Sequence, residues 1–275
     1  MACFCGHKEV CCTSLFWRGF FSEFIGTFLL VFIGLTVSAN YSGKNEEPLY
    51  MAITFGAAMT TLIQCFGHIS GAHFNPAVTI IGLITTKISA FRTIFFIIAQ
   101  LSGAYLAALL INSALLPADH HGVQLPAVNQ ITPSDGVWWK TFLVEIVATF
   151  QYVFTIFATY DPKRTDLGGS PSLAIGITYG LGIYLAAPYS GDIGGSLNPA
   201  RSLATALIHV NFNEIWIFVV APIIGAVSAG MMYDFLLDPQ LFCCSCIREQ
   251  KMSVSSTDNL IEMQKPQTYN NLSYS

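Results

Sequence analysis

Asn75-Pro76-Ala77 stands inside a strongly apolar chain, and the same tripeptide returns at Asn198-Pro199-Ala200. Asn is a preferred helix N-cap and Pro the preferred first helical residue, so each copy reads as the start of a short helix. One Asn-Pro pair says little, because it opens many turns. Two copies in register within an internal repeat say more. Paired half-helices in a membrane chain mark a pore or a binding site at mid-membrane.

Working outward, the register holds on both sides. The first copy runs Glu23-Phe24-Ile25-Gly26-Thr27, then Asn75-Pro76-Ala77, then Gln100-Leu101-Ser102-Gly103-Ala104. The second runs Glu145-Ile146-Val147-Ala148-Thr149, then Asn198-Pro199-Ala200, then Pro222-Ile223-Ile224-Gly225-Ala226, at offsets of 122, 123 and 122 residues. Constant offsets are the mark of duplication. Each copy holds three apolar spans, an odd number, so the second must enter the membrane inverted. The two Asn-Pro-Ala segments then approach the midplane from opposite faces.

Composition agrees. The 275 residues are 53% hydrophobic and 10% charged, against about 25% charged in ordinary soluble domains. Six runs are long enough for a bilayer, which takes about 20 residues each: about Phe16–Ala39, Tyr50–Gly67, Phe91–Leu110, Trp138–Thr159, Ser172–Pro188 and Trp216–Leu237. The expected fold is an all-α membrane protein of six transmembrane helices plus two re-entrant half-helices in an inverted repeat. Its parts are an N-terminal segment (1–15), a first repeat (16–112), an outer connecting loop (113–137), a second repeat (138–238) and a polar tail (239–275) read as disordered. No secretory signal peptide is visible. Lys8, Arg18, Lys87, Arg92, Lys163, Arg164, Arg248, Lys251 and Lys265 fall on one side of this scheme and only Lys44 and Lys140 on the other. That bias puts both termini in the cytoplasm. Small residues at Gly26, Gly103, Ala104, Ala107, Gly176, Gly180, Gly225 and Gly230 suit close helix approach in lipid.

The eight cysteines do not read as a disulfide framework. Cys3, Cys5, Cys11, Cys12, Cys243, Cys244 and Cys246 flank the spans on the reducing side. They suit S-palmitoylation or plain free thiols equally, and Cys65 reads as a small apolar residue of the second span. Asn40-Tyr41-Ser42 is a glycosylation sequon on the outer side, and Asn271-Leu272-Ser273 a silent one in the tail. Ser253, Ser255 and Ser256 are phosphorylation candidates in a tail that also reads as merely soluble.

The stretch His68-Ile69-Ser70-Gly71-Ala72-His73-Phe74-Asn75-Pro76-Ala77-Val78-Thr79 resembles the first signature of the aquaporin family. Asn198-Pro199-Ala200-Arg201-Ser202 resembles the second, and Asp166-Leu167-Gly168-Gly169-Ser170 is also family-like. The resemblance runs from about Phe16 to Asp238. It implies six tilted helices, two half-helices and a pore in each subunit of a homotetramer in the cell membrane. It also implies passive passage of water and small uncharged solutes, with no enzymatic activity, cofactor, metal or nucleic acid. Asn75, Pro76, Ala77, Asn198, Pro199 and Ala200 would form the pore centre. The residue types fit: the Asn amides offer donors, and each half-helix N-terminus carries about half a positive charge, which in aquaporin-type pores excludes protons and cations. Helix capping is the plainer role of both Asn residues, and the two roles are compatible.

Arg201 alone among basic residues falls in a re-entrant segment, where an Arg is costly and so marks function. By resemblance it is the filter arginine, and Phe55, twenty residues before Asn75, the filter aromatic. Strict water channels place a His on the fifth span, and here the pattern departs. Alignment on Leu181-Gly182 puts Ile183 there, while counting back twelve from Asn198 puts Ala186 there. The loop Gly191-Asp192-Ile193-Gly194-Gly195-Ser196-Leu197-Asn198 reads about three residues longer than usual, which leaves Gly195 as the last filter wall. An apolar wall and no side chain at Gly195 suit a carbon-backed solute, so glycerol and urea are expected beside water. A strict water channel is the alternative, since glycerol channels carry Asp where this chain has Ser202. Gly195 also stands where many water channels have a mercury-sensitive Cys.

Glu23 and Glu145 are the acids within spans. They read as acceptors for loop N–H groups, or less simply as a proton relay of an ion-coupled transporter. His73 supports the first loop or lines a vestibule. Its spacing of five from His68 is poor for one helix face and a metal. His120 and His121 read as solvated loop residues. A structural membrane protein is the remaining class, and it would require neither the paired Asn residues nor Arg201.

Overall fold

The computed structural model describes residues 14–41, 47–115, 129, 138–162, 168–190 and 194–237. Outside them lie the expected cytoplasmic Cys clusters, His120 and His121, the Asp166-Leu167 start of the family-like stretch, Ser42 of the outer sequon, and the tail with its Ser residues and second sequon. The chain divides into two units, Met1–Tyr233 and Asp234–Ser275, and the helices and site considered below lie in the first.

Among the described residues eight α-helices follow one another: α1 (Ser14–Tyr41), α2 (Glu47–Ser70), α3 (Pro76–Ile84), α4 (Ala90–Leu110), α5 (Trp138–Thr159), α6 (Pro171–Ala186), α7 (Pro199–His209) and α8 (Ile215–Met231). Among the described residues five stretches have the length and apolarity to cross a bilayer: Ser14–Ser38, Pro48–Ser70, Ala90–Ala114, Trp138–Thr159 and Ile215–Leu237. The other expected span, Ser172–Pro188, is the 16-residue α6, about 24 Å long at the helical rise. Turns after its end prolong it, with the Ser190 N–H donating to the Ala186 carbonyl at 2.9 Å.

Local chemistry sets the boundaries. Asn75 caps α3 and Asn198 caps α7, each followed by Pro at the first helical position. Ser89 caps α4 by accepting from the Arg92 N–H, and Ser170 precedes Pro171 in the same way on α6. The half-helix α3 stops at Thr85-Thr86, where Thr86 is left-handed (φ 56°), and α7 stops at left-handed Val210 (φ 53°). Nine and eleven residues make half-helices of about 14 and 17 Å. Placed end to end they match the bilayer's hydrocarbon thickness of about 30 Å.

The packing has the symmetry of the duplication. Helix α1 lies on α4 as α5 lies on α8, α1 on α2 as α5 on α6, and α3 on α8 as α4 on α7; α2 meets α6, and α3 meets α7, across the pseudo-axis. Close approach is built in at matched glycines. A Cβ at Gly103 would sit 2.4 Å from the Phe24 carbonyl oxygen, and one at Gly225 would sit 2.4 Å from that of Ile146. Bilayer helices associate through such fit, since lipid supplies no hydrophobic drive between them.

Several strongly polar side chains of the helices and loops are buried, and many large apolar ones face outward. Glu23, Asn75, Gln100, Glu145, Asn198 and Arg201 are buried, while Ile53, Ile94, Leu143, Ile177 and Leu181 are more than half exposed. An apolar exterior of this extent belongs in lipid rather than water. Several hydroxyls on the spans are satisfied locally, as where Thr36 donates to the Phe32 carbonyl at 2.7 Å and Ser102 to that of Ile98 at 2.7 Å.

Candidate pore site

The two half-helices meet end to end through their capping residues. The Asn75 side-chain oxygen accepts the Ala77 N–H at 2.9 Å, and that of Asn198 accepts the Ala200 N–H at 3.0 Å. Each side-chain nitrogen then crosses to the other loop. Asn75 Nδ2 donates to the Leu197 carbonyl at 2.8 Å, and Asn198 Nδ2 donates to the Phe74 carbonyl at 2.8 Å. Phe74 (φ 49°) and Leu197 (φ 52°) are both left-handed, an uncommon state for residues with large side chains. The strain is held because it aims each carbonyl at the opposite amide. Capping and crossing use one N–H of each amide.

Two buried carboxylates hold the loops. Glu23 accepts from the Ser70 hydroxyl at 2.6 Å, the His73 and Phe74 N–H groups at 3.0 and 2.7 Å, and Gln100 Nε2 at 2.7 Å. Glu145 accepts from the Ser190 hydroxyl at 3.0 Å and the Ser196 and Leu197 N–H groups at 2.7 and 3.0 Å. These are charge-assisted bonds in a dry setting, the strong kind. Ser70 lies five residues before Asn75, whereas Ser190 lies eight before Asn198. The second loop is therefore three residues longer between equivalent anchors. His73 is half-buried, with its ring nitrogen Nδ1 3.1 Å from the Thr79 hydroxyl. His68 is exposed, and no metal-holding cluster of His, Cys, Asp or Glu occurs among the described residues.

The residues expected to form a filter also converge. The Arg201 guanidinium lies 4.9 Å from the Phe55 ring centre, within cation–π range. Its Nη1 donates to the Gly195 carbonyl. The Gly195 N–H donates to the Ile183 carbonyl at 3.0 Å, which ties α6 to the loop. Both sequence alignments for the fifth-span position touch this loop. A Cβ at Gly194 would fall 2.7 Å from Ile183 Cγ2, and a Cβ at Gly195 would fall 2.5 Å from Ala186 Cβ.

Comparisons with known proteins bear on the chain that carries these cross-locked caps and this Arg on an aromatic ring. Residues 11–233 fit the family model "Major intrinsic protein". The chain is 40% identical to Aquaporin-4 of Mus musculus over 235 residues, covering 83% of this chain and 70% of the relative. It is 43% identical to the lens fiber major intrinsic protein of Lithobates pipiens over 226 residues, covering 82% and 83%. This chain belongs to the major intrinsic protein family. The X-ray structure of the aquaglyceroporin from Plasmodium falciparum superposes with a TM-score of 0.69 at 24% identity, covering 82% of this chain and 98% of that one, and so shares its fold. As a major intrinsic protein, the chain is a multi-pass membrane channel for water or small solutes, not an enzyme.

Three features of this major intrinsic protein escaped the sequence. Asn129, in the long connection between α4 and α5, donates from Nδ2 to the Gly194 carbonyl at 3.1 Å and accepts from the Ser202 hydroxyl at 2.7 Å. It pins both sides of the filter loop from a segment with no motif. Gln100 bridges Glu23 and the Thr79 hydroxyl, at 2.7 and 2.8 Å, although its repeat partner Pro222 has no such group. Tyr179 is fully buried between Phe55 and Tyr152; only its place four residues before Ile183 could have drawn notice.

Proposed function

We propose that this chain is a passive channel for water and for small uncharged solutes such as glycerol and urea, excluding protons and ions. The pathway passes Phe55, Ile183, Gly195 and Arg201, then the Asn75–Asn198 pair. The reading rests on one observation above all: Arg201 sits between the Phe55 face and the Gly195 carbonyl, with Ile183 and no His on the α6 side. A filter with one cation, one aromatic face and an aliphatic wall binds a hydroxyl on one side and carbon on the other. Proton exclusion is supported by the two half-helix N-termini, which meet at the Asn pair and concentrate positive potential there. Permeating oxygens would then face the amides, and a hydrogen-bonded proton wire would be interrupted.

The setting follows from the same reading. The protein works as a homotetramer in the cell membrane, with both termini cytoplasmic, in line with the Lys and Arg bias of the sequence. Glu23 and Glu145 are loop supports in this account, since each is engaged by several donors and a relay would need a free acceptor. A strict water channel is the second reading. It is favoured by the complete burial of Phe55, Ile183 and Arg201, which leaves little room beside them.

Parallel water, glycerol and urea permeabilities separate the two, measured in proteoliposomes with Ile183→His beside the unmodified chain. Glycerol flux in the unmodified chain that falls in Ile183→His, with water flux kept, supports the aliphatic filter. Water flux without glycerol flux in the unmodified chain establishes the strict water channel.

A further inference from the structure

Tyr179 precedes Ile183 by four residues on α6, which places it on the same helical face, about one turn of 5.4 Å away. Ile183 binds the filter loop through its carbonyl. The Tyr179 ring meets the Phe55 ring edge-on at 6.1 Å and the Tyr152 ring at 4.9 Å. Phe55 in turn carries Arg201 on its face. The hydroxyl of Tyr179 faces the Asn198 side chain. Tyr179 thus stands between the filter and the Asn pair, touching the first through Phe55 and facing the second.

Among the described residues its buried hydroxyl has no hydrogen-bond partner of good geometry, although the Asn198 side chain lies beside it. A buried phenol normally finds one, and leaving it unsatisfied costs free energy. The neighbouring Tyr152 hydroxyl has only the Met59 sulfur, at 3.8 Å. Nor is the ring free to retreat with its helix. A Cβ at Gly176 or at Gly180 would lie 2.5 Å from the Gly56 or Ala52 carbonyl oxygen, so α6 is already pressed onto α2. Phe55, Tyr152, Tyr179, Asn75, Asn198 and Arg201 present no surface that a water molecule could touch.

We propose that Tyr179, braced by Tyr152, is a second constriction of the pathway and a specificity-determining residue. Its ring sets the width between the filter and the Asn pair. Its hydroxyl is the hydrogen-bond partner taken up by a permeating water or by a polyol hydroxyl. The ring tilts to admit each molecule, and the unsatisfied hydroxyl repays part of the desolvation the molecule suffers. This inference rests on the pore reading above.

The test is water and glycerol permeability of proteoliposomes, per reconstituted protein, for the unmodified chain, Tyr179→Val, Tyr179→Phe and Tyr184→Phe. Tyr184 is half exposed on the outer face of α6 and serves as the control. Tyr179→Val is expected to raise the glycerol-to-water ratio at least about threefold, by widening the passage. Tyr179→Phe is expected to lower water permeability about threefold, the effect of one lost neutral hydrogen bond, and Tyr184→Phe to change neither. A purely structural role would lower both fluxes together and leave the ratio unmoved. If the unmodified chain conducts and both Tyr179 variants match it in ratio and in water flux, the constriction is refuted and the pore reading stands. Conduction by Tyr179→Val alone supports the constriction as a closed one. If no form conducts, the pore reading fails and this inference falls with it.

Discussion

At the scale of single residues, the site depends on acceptors that have no substitute. Glu145 satisfies two loop N–H groups and one hydroxyl inside a dry core. Glu145→Ala leaves those donors unpaired, at about 1–3 kcal/mol each, so its thermal unfolding in detergent should fall well below that of the unmodified protein. Glu145→Gln, which keeps one acceptor oxygen, should lose less. Equal loss in the two variants would mean that the carboxylate is not holding the loop. Asn129→Ala removes two bonds to the filter loop and is expected to reduce water permeability per folded protein with a smaller loss of stability. Unchanged permeability would show that Ser202 and Arg201 hold the loop unaided. Mercurial block should be weak, because Gly195 offers no thiol at the filter and Cys65 is exposed on α2. Strong block abolished by Cys65→Ser would place a sensitive thiol on the path after all.

At the scale of elements, the matched glycines carry the helix pairing. In Gly103→Ala and Gly225→Ala the added methyl overlaps the backbone oxygen of Phe24 or Ile146, each at 2.4 Å. Overpacking of this kind costs about 1–3 kcal/mol, and the repeat predicts similar losses for the two, read by thermal unfolding. A large loss in only one would mean that the two helix pairs do not share one geometry. These glycines, the caps and the two half-helices were legible because each has a local signal: a small residue in register, or Asn followed by Pro. The shortness of α6 was not. Apolarity continues past Ala186 into Ala187 and Pro188, and nothing in hydropathy separates the last helical turn from the turns after it. The greater length of the second loop was read only through the resemblance to water channels, and its anchor, Ser190 on Glu145, was not legible. A Ser has many local uses, and its partner lies 45 residues away.

At the scale of the whole molecule, duplication explains why the site lies at the centre. Two inverted units put two helix N-termini and two amides at one junction, and neither unit alone has a partner for its Asn. The fold was readable from the 122–123-residue offset and the scarcity of charge. The Asn129 clamp and the Tyr152–Tyr179 pair were not, because they join segments whose proximity exists only once the helices have packed. The account also expects the purified protein to run as a tetramer in detergent by sedimentation. A stable monomer that still conducts would remove the need for assembly. The central claim is that water and glycerol pass while protons do not. The most direct test is stopped-flow water and glycerol flux across proteoliposomes of the unmodified chain, with an internal pH dye reporting on an imposed proton gradient. The account predicts both fluxes above those of empty vesicles and a gradient that decays no faster than in them. Fluxes equal to those of empty vesicles, or a gradient that collapses with the protein present, would contradict it.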